Sequence, residues 1–294
     1  VLECVPNVSE GRDPDVVAAL AEAVTGAGAT LLDVHRDPDH HRSVFTFLGA
    51  REVVGGAALA LARAAVRLID VRRHAGVHPR VGALDVLPFV PLRGSSMAEA
   101  VATAHAIGRT IAAELDVPVF FYGAAALVAD RRELPALRAG GLDGLARRLA
   151  DDGWTADAGP SRLHRTAGAV IVGARDVLIA FNAVLTTADV GIARVLARAI
   201  RTSSGGLPAV RAIGVPLATR GLAQVSMNLL DYRATSPAVV AARLEHEARA
   251  HGVDVREYEL VGCAPADAFA APLGRPVVGL RPSQLLDPAL FRAG

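Results

Sequence analysis

Residues 73–86 read Arg73-His74-Ala75-Gly76-Val77-His78-Pro79-Arg80-Val81-Gly82-Ala83-Leu84-Asp85-Val86. Imidazole is the side chain whose unperturbed pKa lets it both take and give a proton near neutrality. His78 stands between Gly76 and Pro79, in an irregular joint between a helix and a strand. Held on a stiff turn, it reads as a general acid/base. A turn histidine that only holds a backbone hydrogen bond is the plainer alternative. His74 and His78 are four apart, a spacing that would suit zinc on one helix face. Gly76 and Pro79 break such a helix, however, and no Glu follows His74, so a metal is not expected here.

The densest polar cluster is Asp33-Val34-His35-Arg36-Asp37-Pro38-Asp39-His40-His41-Arg42. Its carboxylates and imidazoles are of a kind that can hold a divalent metal. Asp37-Pro38-Asp39 is also turn chemistry, and a solvated turn between two strands is the favoured reading, with Asp33 or Arg42 at strand ends facing a cleft. Arg80, Arg162 and Arg165 are candidate carboxylate clamps, because a guanidinium grips a carboxylate through two parallel hydrogen bonds. No Gly-x-Gly-x-x-Gly fingerprint follows the first strand, and Ser203-Ser204-Gly205-Gly206 precedes a strand rather than a helix. Neither supports a nucleotide site.

The elements that must position these groups follow from periodicity and punctuation. Strands are expected at 2–6, 30–35, 43–49 and 83–90, the last interrupted by Pro88. Helices are expected after Asp13-Pro14 and over 52–71. The second half repeats the order: a strand at 177–184, a helix capped by Thr187, strands at 210–215 and 222–230, a helix from Ser236-Pro237, and a strand at 253–261. Two β-α-β-β-α-β units give an α/β (α+β) fold of two tandem ferredoxin-like subdomains, 1–175 and 176–294. The first carries an insertion. It comprises a helix opened by the capping box Ser96-Met97-Ala98-Glu99, a strand at 117–122, a short helix and turn over 140–155, and a loop at 159–168 bounded by glycines and well placed to line a cleft.

Composition sets the limits. In 294 residues, 52% are hydrophobic, and 31 basic residues oppose 30 acidic ones for a net charge of +1. That balance offers no broad field to nucleic acid or an anionic membrane. The longest uncharged apolar stretch, 117–129, falls short of the roughly 20 residues of a membrane span. With no basic leader before it and only Cys4 and Cys263 as thiols, a soluble cytoplasmic protein with reduced cysteines is expected.

Five blocks together carry a resemblance. Glu3-Cys4-Val5-Pro6-Asn7-Val8-Ser9-Glu10-Gly11, Leu31-Leu32-Asp33, His78-Pro79-Arg80-Val81-Gly82-Ala83-Leu84-Asp85, Ile179-Ala180-Phe181-Asn182 and Asn228-Leu229-Leu230-Asp231 run in this order along nearly the whole chain. The pattern resembles glutamate formiminotransferase, the N-terminal part of formiminotransferase-cyclodeaminase; the first and third blocks are the specific ones. The resemblance implies transfer of a formimino group from N-formimino-L-glutamate to N5 of tetrahydrofolate, in histidine breakdown, by a homodimer. Tetrahydrofolate is then a co-substrate, with no metal or nucleotide cofactor. The cyclodeaminase activity is expected to be absent, since the chain ends where that part would begin.

The same resemblance makes His78 the catalytic histidine. It also makes the folate-contacting loop Gly159, Pro160, Ser161, Arg162, Leu163, His164, Arg165, Thr166, Ala167 and Gly168. Arg80 and Arg42 are expected to hold the donor's carboxylates, and Asp85 or Asp33 to orient the imidazole. The chain departs from the family at His35, where Asp is common. It departs again in the loop's middle, where the added positive charge favours a folate tail bearing several glutamates. Two other functions stay open: a folate-binding paralogue without transfer, and a metal-dependent hydrolase of formimino-glutamate built on Asp37, Asp39, His40 and His41.

Overall fold

The computed structural model describes residues 1–74, 76, 79–150 and 154–291, in two compact units, Val1–Asp176 and Val177–Arg292. In the first unit the elements are β1 (Leu2–Cys4), β2 (Asn7–Val8), α1 (Pro14–Gly26), β3 (Thr30–Asp37), β4 (Arg42–Gly49), α2 (Arg51–Leu68), β5 (Leu84–Pro91), α3 (Met97–Leu115), β6 (Val119–Gly123), α4 (Leu134–Arg138), α5 (Gly141–Ala150) and β7 (Val170–Ala174). β1 and β2 share one place in the sheet, between β4 and β5, all antiparallel; β3 flanks β4. β7 and β6 extend the sheet beyond β5 in parallel.

Local chemistry explains where the helices begin. The Asp13 carboxylate accepts from the amides of Asp15 (2.9 Å) and Val16 (3.2 Å), with Pro14 in the first turn of α1. Ser96 and Glu99 close the expected capping box at the start of α3, a device in which each side chain satisfies an amide the helix cannot. The main core joins Leu20, Leu61, Phe45, Phe47 and Phe89 with small residues of α2 and α3. A smaller core on the other sheet face joins Phe120, Tyr122, Val86 and Ile171 to Leu137 of α4 and Leu145 of α5. Trp154 packs against it, between the guanidinium groups of Arg131 at 4.7 Å and Arg148 at 4.8 Å from its ring. Arg148 also donates to the carbonyls of Leu137 (2.7 Å) and Ala139 (2.6 Å), tying α5 to the end of α4.

Four expectations change. Pro88 does not interrupt β5. Its carbonyl accepts from Val5 N (3.3 Å), and the Val5 carbonyl, which proline cannot serve, accepts instead from the Asn7 side-chain amide (3.2 Å). Asn7 thus substitutes for the donor that proline lacks. The helix expected to reach residue 71 ends at Leu68, since Ile69 turns extended and the Asp70 carboxylate caps a separate short turn over Val71–Arg73. β7 is an additional strand; its run Val170-Ile171-Val172 carried the signal. In the second unit the cap is Asp189, not Thr187: the Asp189 carboxylate accepts from Gly191 N (2.7 Å), while Thr187 accepts from Asp189 N itself (3.1 Å).

The second unit consists of β8 (Ile179–Leu185), α6 (Val190–Ile200), β9 (Val210–Leu217), β10 (Leu222–Leu229), α7 (Pro237–Ala250) and β11 (Val255–Val261). Its antiparallel order is β11-β8-β10-β9. Both helices bury their apolar stripes on one sheet face, around Phe181 stacked on Tyr258 at 4.9 Å. Cys4 and Cys263 are buried thiols, not joined by a disulfide. No described helix is long and apolar enough to cross a membrane.

Candidate active site

The site grows from the joint between β5 and the loop 159–168 of the first unit. Gly82 and Gly168 face one another in an antiparallel bridge; Ala83 N donates to Ala167 O and Ala169 N to Val81 O, both at 2.9 Å. Such a close approach leaves no room for a side chain. A Cβ on Gly168, whose φ is +69°, would collide with the Val81 carbonyl. Gly168→Ala is therefore expected to lose about 2 kcal/mol of stability through left-handed strain plus that collision, read as a lower melting temperature.

His164 shapes the loop. It exchanges backbone hydrogen bonds with Gly168, and its Nδ1 accepts from Thr166 N (3.3 Å) and Ala167 N (3.0 Å). The proton of the neutral ring therefore sits on Nε2. Val71 N donates to Thr166 O (2.9 Å), which ties the loop to the segment leading into residue 74. Between these segments lies a cleft of about 650 Å³, lined by Arg72, His74, Arg80, Leu142, His164 and Arg165 among others.

Behind the cleft, the segment after β2 is stitched down by Ser9, whose hydroxyl donates to Gly82 O (2.7 Å), and by Ser43, whose hydroxyl donates to Glu10 O (2.6 Å). The Glu10 carboxylate accepts from the amides of Arg12 (2.7 Å) and Asp13 (3.0 Å) and pairs with His41 Nε2 (3.2 Å). Burial would raise the Glu10 pKa, but these amides and His41 bring it below the usual carboxylate value. The His41 ring meets the His74 ring edge to face, 3.5 Å between centroids, and His74 Nε2 donates to the Ser9 carbonyl. Burial pushes the His74 pKa down to about 4, helped by the Arg80 charge; burial, Arg12 and Arg80 also lower that of His41 against the pull of Glu10.

A pH dependence follows. A histidine whose folded pKa lies below its unfolded value resists protonation in the fold, so its stabilising contribution is complete above about pH 6.5 and is lost as pH falls towards 4. Screening at half-buried His74 limits the effect to about 1–2 kcal/mol. Melts at pH 7.5 and 5 are expected to show that loss, and His74→Gln to flatten it.

Three guanidinium groups and one carboxylate make up the electrostatic centre. Asp85, buried on β5, accepts from Val81 N (2.7 Å) through one oxygen and from Arg138 of α4 through the other. Burial, and then the neighbouring Arg138 charge, lower the Arg42 pKa to about 10 despite Asp85 and Asp37 nearby. Arg80 donates to the carbonyls of His40 (2.7 Å) and His41 (3.1 Å). The turn between β3 and β4 is consequently not solvated: Asp39, His40 and His41 are all less than a tenth exposed. Arg80 draws its carbonyls inward, and Asp37 caps the His40 amide (2.8 Å). Two of its side chains are directed to separate partners, His41 to Glu10 and His40 towards Asp37.

Residues 1–175 match the family described as the formiminotransferase domain, N-terminal subdomain, and residues 180–272 match that described as the formiminotransferase domain. A glutamate formimidoyltransferase of Streptococcus pyogenes serotype M1 is 40% identical over 270 residues, covering 92% of this chain and 90% of that protein. The chain belongs to the formiminotransferase family. A glutamate formimidoyltransferase of Thermoplasma acidophilum is also 40% identical, over 92% of this chain and 89% of its own length. The formimidoyltransferase-cyclodeaminase of Rattus norvegicus is 42% identical over 92% of this chain, which spans 51% of that longer protein.

Against the formiminotransferase expectations, the fold brings Arg80, Leu163, His164, Arg165 and Gly168 to one cleft and sets Arg42 and Asp85 in the charge cluster. His78 lies outside the described residues. Asp33 is buried on β3, opposite Thr46. Arg162 pairs instead with Asp116 at the surface (2.7 Å), and Gly159 packs beside the Val117 carbonyl. Sequence reasoning passed over Ser9, Glu10 and Arg138 as site residues, and weighed His41 and His74 only as possible metal ligands. Ser9 and Glu10 lay in the first specific block, which carried the clue; Arg138 had none, because nothing local ties it to Asp85.

Proposed function

We propose that this formiminotransferase moves the formimino group of N-formimino-L-glutamate to N5 of tetrahydrofolate, with His78 as general acid/base. The observation that carries the reading is the gathering of Arg42, Arg80 and Arg138 around Asp85, since it leaves a positive surplus suited to a dicarboxylate donor. N5 attacks the amidine carbon and His78 takes its proton. The tetrahedral adduct then collapses, and His78 returns the proton to the departing glutamate nitrogen. Arg80 and Arg42 hold the donor's carboxylates, while His164, Arg165 and Gly168 at the cleft hold the folate. His41 and His74, with their lowered pKa values, stay neutral at pH 7 and leave the positive charge to the arginines.

The reading includes subdomains 1–175 and 176–294, each ferredoxin-like, in a cytoplasmic homodimer whose size sedimentation would report. It requires no metal or nucleotide. The test is to incubate the chain with N-formimino-L-glutamate and tetrahydrofolate, with and without chelator, following folate absorbance and released glutamate. Folate-dependent, chelator-insensitive glutamate release is expected. Formamide release without folate that a chelator stops would identify the hydrolase, and folate binding without turnover the paralogue.

A further inference from the structure

The loop at 159–168 keeps its shape around one imidazole. Residues 164–168 form a tight hairpin in which His164 N donates to Gly168 O and Gly168 N to His164 O, both at 2.9 Å. Two amides inside it, those of Thr166 and Ala167, donate to a single acceptor, His164 Nδ1, at 3.3 and 3.0 Å. Ala167 is 1% exposed, so its amide has no ready exchange of that partner for water. The carbonyls of the same two residues tie the hairpin to its surroundings. Val71 N donates to Thr166 O and Ala83 N to Ala167 O, both at 2.9 Å. The ring therefore sits at the centre of a structure that joins the start of β5 to the short turn over Val71–Arg73.

An imidazole nitrogen accepts a hydrogen bond only while it carries no proton. Of the side chains, imidazole is the one that gains its second proton between about pH 5 and 8. In His164 that proton must go to Nδ1, because Nε2 already holds one, and there it points at two N–H groups. A single protonation thus turns two accepted bonds into two donor–donor contacts and leaves the buried Ala167 amide unpaired. The charged and titratable groups lining the same cleft are Arg72 and His74, Arg80, Arg165 of the loop itself and Asp143 of α5. Three of them are guanidinium cations, so a protonated ring enters a positive cleft. Outward movement of the hairpin relieves both the opposed donors and the repulsion.

We propose that His164 is a proton-operated latch: with Nδ1 bare it holds residues 164–168 closed against the cleft, and on protonation it releases them. The latch itself needs no substrate; that it governs the release of folate rests on the folate-binding reading of this loop. Amide hydrogen exchange on the full chain, corrected for intrinsic rates, tests it. An imidazole free in water titrates at about pH 6.5, so lowering the pH from 7.5 to 5.5 is expected to cut the protection of Thr166 and Ala167 about tenfold. Val170, whose amide donates to Pro118 O (3.0 Å) on β7, should keep its protection. His164→Asn puts a side-chain oxygen in place of Nδ1 and does not titrate, so its protection should be the same at both pH values. His164→Leu offers no acceptor and should be poorly protected at both. Protection of Ala167 that ignores pH in the parent overturns the proposal, as does a fall of equal size in His164→Asn. An equal loss at Val170 overturns it too, since that is unfolding of the unit. The dissociation constant of tetrahydrofolate should rise between pH 7.5 and 5.5 in the parent, and the ratio of the two values should shrink in His164→Asn. Equal ratios in the two proteins overturn the role in folate release. A chain that binds no tetrahydrofolate fails the folate reading, while exchange still decides the latch.

Discussion

His78→Ala is expected to reduce formimino transfer by about 10²–10⁴-fold, the usual contribution of a positioned acid/base, while the thermal melt stays nearly unchanged. The two halves of that prediction have separate origins. Loss of rate follows because both proton transfers, from N5 and to the leaving nitrogen, pass through one group. Constancy of the melt follows from the proposed role itself, because a group that acts only on the substrate's protons contributes little to the folded state. Steady-state kinetics and a melt on the same preparation check both. Retained activity with a large stability loss would reassign His78 to a structural role.

Asp85→Ala should show the reverse balance, with stability failing first. Asp85 is 1% exposed and places a negative charge among Arg42, Arg80 and Arg138. Removing one partner of a buried pair strands the other, at a cost of about 3–5 kcal/mol, which in a unit of this size lowers the melt by roughly 10 °C. The double variant Asp85→Ala, Arg138→Met should recover part of that loss, because replacing both partners by apolar groups is far milder than breaking the pair. A single variant that melts like the parent would show that Asp85 does not hold the cluster together.

Features set by neighbours in sequence were legible before the fold was seen. Asp13-Pro14, Ser96 with Glu99, and Ser236-Pro237 each announce a helix start because the capping partner lies within a few residues. What escaped was set by partners far along the chain. Pro88 reads as a strand breaker until Asn7, distant in sequence, supplies the missing donor. Asp37-Pro38-Asp39 reads as a wet turn because turn chemistry is the same whether the turn faces water or folds inward; Arg80 decides which. For the site, Arg80 and the loop 159–168 were legible as candidates, but their meeting depends on the Gly82–Gly168 bridge, which no local pattern announces. Glu10, His41 and His74 form a network that exists only once three separate segments are folded together.

The chain contains a single tryptophan, and its place between Arg131 and Arg148 gives the protein an optical reporter of its own. Indole emission responds to nearby charge, and one of the two charges here, Arg148, stands on α5, whose first residues line the cleft. A ligand that shifts α5 alters the Arg148 contact with the ring and so the emission. Occupancy of the first-unit cleft can therefore be followed by light, with no label attached and no turnover required.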